Sequence, residues 1–168
     1  HNEEGNIGRT LSSLVNQELK PSQVVVVNDN STDRTSEIVE GFTQQYSWMQ
    51  QIYKKSSDKH LPGEKIIEAF YHGYGILGED YEIICKYDAD MVFNSNYLLR
   101  LSRHFKGNNR LGMAAGQCYI QKDGQWILEN PNKDDHIRGA LKAYRKECFL
   151  EIGKIARSIG WDTIDELM

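Results

Sequence analysis

The sequence predicts an α/β fold in which helices flank a mostly parallel central sheet. Two observations predict it: amphipathic helical stripes alternate with short apolar runs, and polar turn clusters follow those runs. The dipeptide Asp123-Gly124 is a strong hairpin signal and predicts a smaller antiparallel part in the later half. With 168 residues and no internal repeat or linker, the chain is expected to form one domain, 1–168.

The first half of the chain predicts two helices and two strands. Apolar residues at helical spacing indicate the first helix, carried by Ile7, Leu11, Leu14 and Val15. Four consecutive valines at 24–27 predict a strand covered on both faces, and the turn cluster at 28–33 separates it from a helix around Ile38. A short strand at 51–53 and a polar loop at 54–63 continue the alternation.

The second half continues with strands at 81–87 and 112–120. Three helical stripes are predicted, one by Ile66, Ile67, Phe70 and Tyr74, one by Leu98, Leu101 and Phe105, and one by Ile137, Leu141 and Tyr144. The glycines at 73–78 match the pattern of a dinucleotide-binding loop. They follow a helix and precede a strand, the reverse of the order that such a loop needs, and we interpret them as a helix stop.

Composition excludes several classes of protein. Twenty Lys and Arg against 24 Asp and Glu give a net charge of −4, which argues against a nucleic-acid partner. No apolar run approaches the roughly 18 residues of a membrane span. Three widely spaced cysteines fit reduced thiols, and no signal peptide is visible. We expect a cytoplasmic protein without a transmembrane segment, compatible with peripheral association at the inner face of the membrane.

Two carboxylates follow the strand predicted at 81–87. Asp88 and Asp90, one residue apart, can reach one divalent cation together, and Mg²⁺ or Mn²⁺ characteristically adds substrate phosphates to one or two protein carboxylates. A diphosphate is the natural partner of such a pair. The alternative reading of an isolated Asp-x-Asp is a solvated turn.

Asp29 occupies the matching place after the valine strand. There it can accept hydrogen bonds from a nucleotide base, whereas its alternative role is helix capping, for which Ser31 and Asp33 are better placed. Ligands of open parallel sheets bind beyond the carboxyl ends of the strands. We therefore expect Asp29 and the Asp88/Asp90 pair to belong to one site.

Five short motifs, in order and spacing, resemble those of the inverting glycosyltransferases of family 2. They are Asn2-Glu3-Glu4, VVVVNDNSTDRT at 24–35, Asp88-Ala89-Asp90, Arg138-Gly139-Ala140 and Gly160-Trp161-Asp162. The resemblance spans nearly the whole chain and implies the GT-A fold, a Rossmann-like arrangement with a nucleotide-sugar-binding half, 1–110, and an acceptor-binding half, 111–168. The chain starts inside the family's opening motif, so we expect the first strand to be missing, and the C-terminal boundary stays open.

The resemblance also implies roles for individual residues. Glu3 lines the nucleoside pocket, Asp29 bonds the base, and Lys65 faces the diphosphate, although a solvated lysine at a helix start is an equal alternative. Asp88 approaches the ribose or the metal. Asp90 is the principal ligand of the divalent metal, Mg²⁺ or Mn²⁺.

Inverting transfer needs a further carboxylate to take the proton of the attacking hydroxyl. By resemblance this base is Asp162, with Asp165 as its rival, and the alternative for Asp162 is a helix N-cap. The family commonly has glutamate where Trp161 stands. It also often has asparagine about where Phe70 or Tyr71 stands here, so donor contacts at that place are not carried over.

These expectations combine into a metal-dependent inverting transferase. It would move a hexose-type sugar from a nucleoside diphosphate to a hydroxyl acceptor such as a glycan, a lipid-linked sugar or a polysaccharide precursor. A sugar-phosphate nucleotidyltransferase is one alternative, but the Gly-rich basic loop that it needs early in the chain is not visible. A non-catalytic nucleotide-sugar-binding module and a receiver-type phospho-acceptor domain are the others.

Overall fold

The computed structural model describes residues 1–56, 63–129, 136–158 and 160–167, apart from the side chains of Asp162 and Leu167. Most of the predicted loop at 54–63 and the side chain of the predicted base Asp162 therefore lie outside the described residues. The elements of the first half are α1 (Ile7–Val15), β1 (Val24–Asp29), α2 (Thr35–Gln45), β2 (Met49–Lys54), α3 (Glu64–Tyr74), β3 (Ile83–Tyr87) and α4 (Tyr97–Gly107). Those of the second half are β4 (Met113–Ala114), β5 (Tyr119–Lys122), β6 (Gln125–Leu128), β7 (Leu141–Arg145), α5 (Lys146–Glu151) and α6 (Trp161–Leu167).

The first half builds a parallel pair of strands, β1 and β2, under two helices. Ile7 and Leu11 of α1 pack with Val39 of α2 in one apolar cluster that also includes β1 valines. The predicted helices and the predicted valine strand are thus confirmed. The four valines are only half-buried, and they line a cavity.

The second half is antiparallel, as the hairpin signal predicted. Strand β7 lies between β3 and β4 and pairs antiparallel with both. Strands β5 and β6 form a separate hairpin, whose turn residues Asp123 and Gly124 have φ of 51° and 77°. Those positive φ values are what a type I′ turn requires at its two central positions. The α/β class with a later antiparallel part is therefore confirmed.

The third helical stripe, predicted from Ile137, Leu141 and Tyr144, is wrong. Leu141–Arg145 forms the strand β7, and the positions from Leu141 to Tyr144 are all buried. A strand buried on both faces shows no alternation, and its apolar residues can fall at helical spacing by chance.

A cavity of about 880 Å³ separates the two sheets. Valines of β1 line one side of it, and the whole of β3 lines the other. No described strand links the parallel pair to the antiparallel sheet. Helix α1 connects them instead, since its Leu14 shares an apolar cluster with Val24 of β1 and with Tyr87 and Leu141 of the second sheet.

The glycines of the apparent dinucleotide motif end a helix, as the sequence predicted. Helix α3 ends at Tyr74, and β3 follows it. A Cβ on Gly73 would lie 2.9 Å from Val27 Cγ2, so the missing side chain lets α3 pack closely against β1. This glycine serves helix–sheet packing rather than phosphate binding.

Candidate active site

The acidic triplet forms the loop that follows β3, where the sequence placed it. The side chain of Asp88 is 40% exposed and is ion-paired with Lys86, while its backbone N–H donates to Ala140 O at 2.9 Å. Asp90 is exposed and has no hydrogen-bond or ion-pair partner among the described residues. The backbone of this loop is therefore held in place, and its outer carboxylate is accessible to a ligand.

Asp29, the last residue of β1, is 14% exposed and already has polar partners. Ser56 donates to both carboxylate oxygens, through its N–H to Oδ1 at 3.0 Å and its hydroxyl to Oδ2 at 2.5 Å. Lys54 Nζ lies 3.9 Å from Asp29 Oδ2 and 3.0 Å from Glu68 Oε2. A base that bonded Asp29 would have to share this carboxylate with Ser56.

The other two predicted donor contacts lie near the ends of helices. Glu3 precedes α1: its carbonyl accepts from Ile7 N–H at 2.8 Å, and its N–H donates to Thr35 Oγ1 at 2.7 Å, at the start of α2. Its carboxylate accepts from Asn6 at 3.0 Å. Lys65 lies half-buried in the first turn of α3.

Helix α1 connects the acidic loop to the first sheet. The hydroxyl of Thr10 donates to Ala89 O at 2.6 Å, between the two aspartates of the triplet. Ala89 also packs against the apolar cluster that includes Val26 of β1. The middle residue of the triplet thus packs close to β1, the strand that ends at Asp29, and a single site formed by Asp29, Asp88 and Asp90 stays a prediction.

Helix α6 begins at Trp161, so Asp162 lies in its first turn. Asp165 is buried: its Oδ1 lies 2.6 Å from Lys142 Nζ, and its Oδ2 accepts from the hydroxyl of Tyr144. Burial first, and then the bond to Asp165, raise the pKa of Tyr144 above its ordinary value, so the phenol stays a neutral donor. Glu166 anchors the helix further by accepting from Ile137 N–H at 2.9 Å.

Two lysine side chains lie against the ring of Trp161 and connect α6 to the acidic loop. Lys86 of β3 and Lys142 of β7 are cross-strand neighbours, and their Nζ atoms lie 5.1 and 5.8 Å from the centre of the Trp161 ring. Lys86 bonds Asp88, and Lys142 bonds Asp165. The helix that carries Asp162 and the triplet that carries Asp88 therefore contact the same pair of lysines.

Sequence reasoning missed three of these polar residues: Lys86, Lys142 and Ser56. A lysine within an apolar strand, two residues before the triplet, was a visible signal for Lys86. The signal for Lys142 was hidden, because its segment was predicted as a helix. Ser56 falls in the predicted polar loop at 54–63, but nothing in the sequence pairs Ser56 or Lys54 with Asp29.

A divalent metal fits the donor set only if the substrate contributes ligands. Among the described residues no group of three or more His, Cys, Asp or Glu side chains could enclose a cation. Two hard oxygen donors, Asp88 and the exposed Asp90, nevertheless match Mg²⁺ or Mn²⁺ that keeps water and phosphate oxygens as further ligands. In the described part of the chain, the helices are too short or too polar to cross a bilayer.

The α/β fold, with its parallel pair of strands and its later antiparallel sheet, is that of the GT-A class. Over 96% of this chain and 47% of the other, the structure is similar to that of the mannosyltransferase PcManGT from Pyrobaculum calidifontis, solved with GDP-Man and Mn²⁺, with a TM-score of 0.64 and 18% identity. The family model for glycosyl transferase family 2 matches residues 1–156. The chain belongs to glycosyltransferase family 2.

Two curated relatives agree with this assignment. The chain is 36% identical over 130 residues to a probable glycosyltransferase, YdaM, of Bacillus subtilis, which covers 76% of this chain and 30% of the relative. It is 28% identical over 121 residues to the poly-beta-1,6-N-acetyl-D-glucosamine synthase of Staphylococcus epidermidis. That alignment covers 72% of this chain and 27% of the synthase. The chain thus spans less than a third of the length of either relative.

Proposed function

We propose that the chain is the catalytic domain of a metal-dependent inverting glycosyltransferase that moves a hexose-type sugar from a nucleoside diphosphate to a hydroxyl acceptor. One observation supports the proposal above all: in a chain of family 2, Ala89 of the Asp88-Ala89-Asp90 loop packs against the apolar cluster that includes valines of the strand ending at Asp29. The synthase among the relatives supports a glycan or polysaccharide precursor as acceptor. Three free cysteines support a cytoplasmic location.

In this proposal different residues bind the nucleoside, the diphosphate and the metal of the donor complex. Asp29 and Glu3 bind the nucleoside, while Lys65 faces the diphosphate. Asp90, exposed and without a hydrogen-bond or ion-pair partner among the described residues, is the principal metal ligand, and Asp88 contributes its second oxygen or contacts the ribose. A bound divalent metal supplies Lewis-acid stabilisation of the charge that develops on the leaving phosphate oxygen.

The base of the proposed reaction is Asp162. It takes the proton of the acceptor hydroxyl, which then attacks the anomeric carbon on the face opposite the leaving diphosphate. Asp165, the rival, is enclosed by Lys142 and Tyr144, and an acceptor could reach it only if that buried group opened. We therefore propose that Asp165 fixes α6, while Asp162, one turn earlier, performs the chemistry.

Donor binding and turnover can be measured separately. Thermal-shift screening of UDP, GDP and dTDP sugars with and without Mn²⁺ identifies the donor, because ligand binding to the native state raises the apparent melting temperature. Asp90→Asn is expected to remove the effect of Mn²⁺ on donor binding. Asp162→Asn is expected to keep donor binding and to lower sugar transfer by at least about a hundredfold.

The outcomes separate the proposal from its alternatives. Transfer that survives in Asp162→Asn would show that the base lies elsewhere. Donor binding without any turnover by the unmodified chain would favour a binding module. Release of pyrophosphate from a nucleoside triphosphate and a sugar phosphate would identify a nucleotidyltransferase. Donor binding that EDTA leaves unchanged would contradict the role given to Asp90.

A further inference from the structure

Lys86 is a buried charge in the middle of a strand. The buried positions of β3 are Ile84 and Lys86, so the lysine occupies a place that the pattern assigns to an apolar residue, and its side chain is only 6% exposed. Burying an ammonium group is costly unless its hydrogens are bonded and its charge is compensated. A lysine at this place needs partners, and the structure provides them.

Three partners surround the Lys86 ammonium group. It donates to Asp88 Oδ1 and to Gly139 O, the latter at 2.8 Å, and it lies over the face of Trp161. Lys142, directly opposite on β7, carries a second positive charge, but Asp165 pairs with it at 2.6 Å. These contacts and the burial of the side chain hold Nζ of Lys86 beside Asp88.

The two carboxylates of the triplet are therefore unequal. Asp88 has one oxygen on a fixed cation, which leaves its other oxygen for a ligand. Asp90 is exposed and has no ionic partner among the described residues. Counted together, Asp88, Asp90 and Lys86 carry a net charge of −1, half of what the aspartates alone would carry.

We propose that Lys86 is a positioning residue that weakens the affinity of the triplet for a free divalent cation, and so makes metal binding depend on the diphosphate of the donor. This inference rests on the proposed function. A charge of −1 holds a divalent cation poorly, whereas the added negative charge of a diphosphate balances both the metal and Lys86. Metal and donor then bind the site together.

The test measures Mn²⁺ binding to the purified chain from the electron paramagnetic resonance signal of free Mn²⁺, with no nucleotide present. Lys86→Met is expected to bind Mn²⁺ at least about tenfold more tightly than the unmodified chain, because a unit positive charge beside the ligand is removed. Addition of UDP or GDP should then raise Mn²⁺ retention by a smaller factor in the variant than in the unmodified chain.

Matched variants separate the charge of Lys86 from a general effect on the fold. Lys86→Arg keeps the charge and should retain the weak Mn²⁺ binding, whereas Lys86→Gln, which keeps a hydrogen-bond donor, should bind as tightly as Lys86→Met. Lys146→Met removes a lysine that is half-buried over the ring of Tyr81 and bonds neither Asp88 nor Asp90. This control should leave Mn²⁺ affinity within about twofold of the unmodified value, because solvent screens a partly exposed charge that is not in contact with the triplet.

Two results would overturn the inference, and they differ in what they say about the proposed function. If Asp90→Asn weakens Mn²⁺ binding while Lys86→Met and Lys86→Gln match the unmodified chain, the metal site stands and the role of Lys86 is wrong. If neither Asp90→Asn nor the Lys86 variants change Mn²⁺ binding, the metal role of the triplet in the proposed function fails as well.

Discussion

Two lysines face each other across β3 and β7, an arrangement that would ordinarily repel. Each has its own carboxylate, Asp88 for Lys86 and Asp165 for Lys142, and the ring of Trp161 lies over both. The positive charge of each lysine is therefore compensated by its own carboxylate. Its two acids have different surroundings, since the side chain of Asp88 is partly exposed and that of Asp165 is fully enclosed.

The enclosed pair gives a prediction about stability. Lys142→Met removes the buried cation that is paired with the Asp165 carboxylate. The free energy of unfolding should therefore fall by about 3–5 kcal/mol. Urea denaturation measures the change. The double variant Lys142→Met/Asp165→Asn should recover a large part of the loss, because the amide is neutral and still accepts from Tyr144.

A control lysine lies close by in the chain. Lys146 is half-buried over the ring of Tyr81, and Lys146→Met should lower the free energy of unfolding by no more than about 1 kcal/mol. Equal losses in Lys142→Met and Lys146→Met would show that the Asp165 pair does not hold α6 in place.

At the scale of elements, α1 organises the site without contributing a predicted catalytic group. Its Ser13 hydroxyl accepts from Phe93 N–H at 3.2 Å, and its neighbour Gln17 accepts from Leu98 N–H and donates to Asn94 O at 2.9 and 2.7 Å. With the bond from Thr10 to Ala89, the loop from the acidic triplet to α4 is attached to this one helix. These hydrogen bonds hold the backbone of the loop in place.

Thr10→Val tests that attachment. The valine has nearly the same shape but leaves Ala89 O without its donor, so the free energy of unfolding should fall by about 1–3 kcal/mol. Donor binding in the presence of Mn²⁺ should weaken as well, because the loop between Asp88 and Asp90 loses its anchor. Calorimetric titration with the donor identified by the screen measures the second effect.

Thr43 provides the matched control. Its exposed hydroxyl donates to Glu40 O within α2, far along the chain from the acidic loop. Thr43→Val should leave donor affinity unchanged. If Thr10→Val also leaves it unchanged, α1 does not position the triplet.

Elements with a local signal could be predicted from the sequence, whereas elements defined by their partners could not. In three such elements the residue types themselves favour the local structure: the valines of β1, the turn at Asp123-Gly124 and the helix stop at the glycines. Strand β7 has none, because every position from Leu141 to Tyr144 is buried and the residues carry no alternation. The position of Lys86 opposite Lys142 was equally inaccessible, since it depends on a pairing between distant segments.

For the whole molecule, stability should fall in alkaline solution. Burial raises the pKa of the Cys85 thiol to about 11 from an ordinary 9.0, although a hydrogen bond with Tyr87 opposes this. The folded chain holds that proton more tightly than the unfolded chain. The contribution is therefore complete below pH 9 and is lost as the pH rises towards 11.

The expected loss is about 2 kcal/mol between these pH values, and Cys85→Ala should remove it from a series of urea denaturations. Burial also raises the pKa of Tyr97 to about 12, so some decline at higher pH should persist in the variant. Identical pH profiles for Cys85→Ala and the unmodified chain would contradict the assignment to this thiol.

Leu14 of α1 belongs to an apolar cluster that includes residues of both sheets. Asp29 belongs to the parallel pair, and the acidic loop follows a strand of the antiparallel sheet. A smaller side chain at position 14 is therefore expected to loosen the packing behind both acidic positions at once, although Leu14 itself carries no group for a ligand.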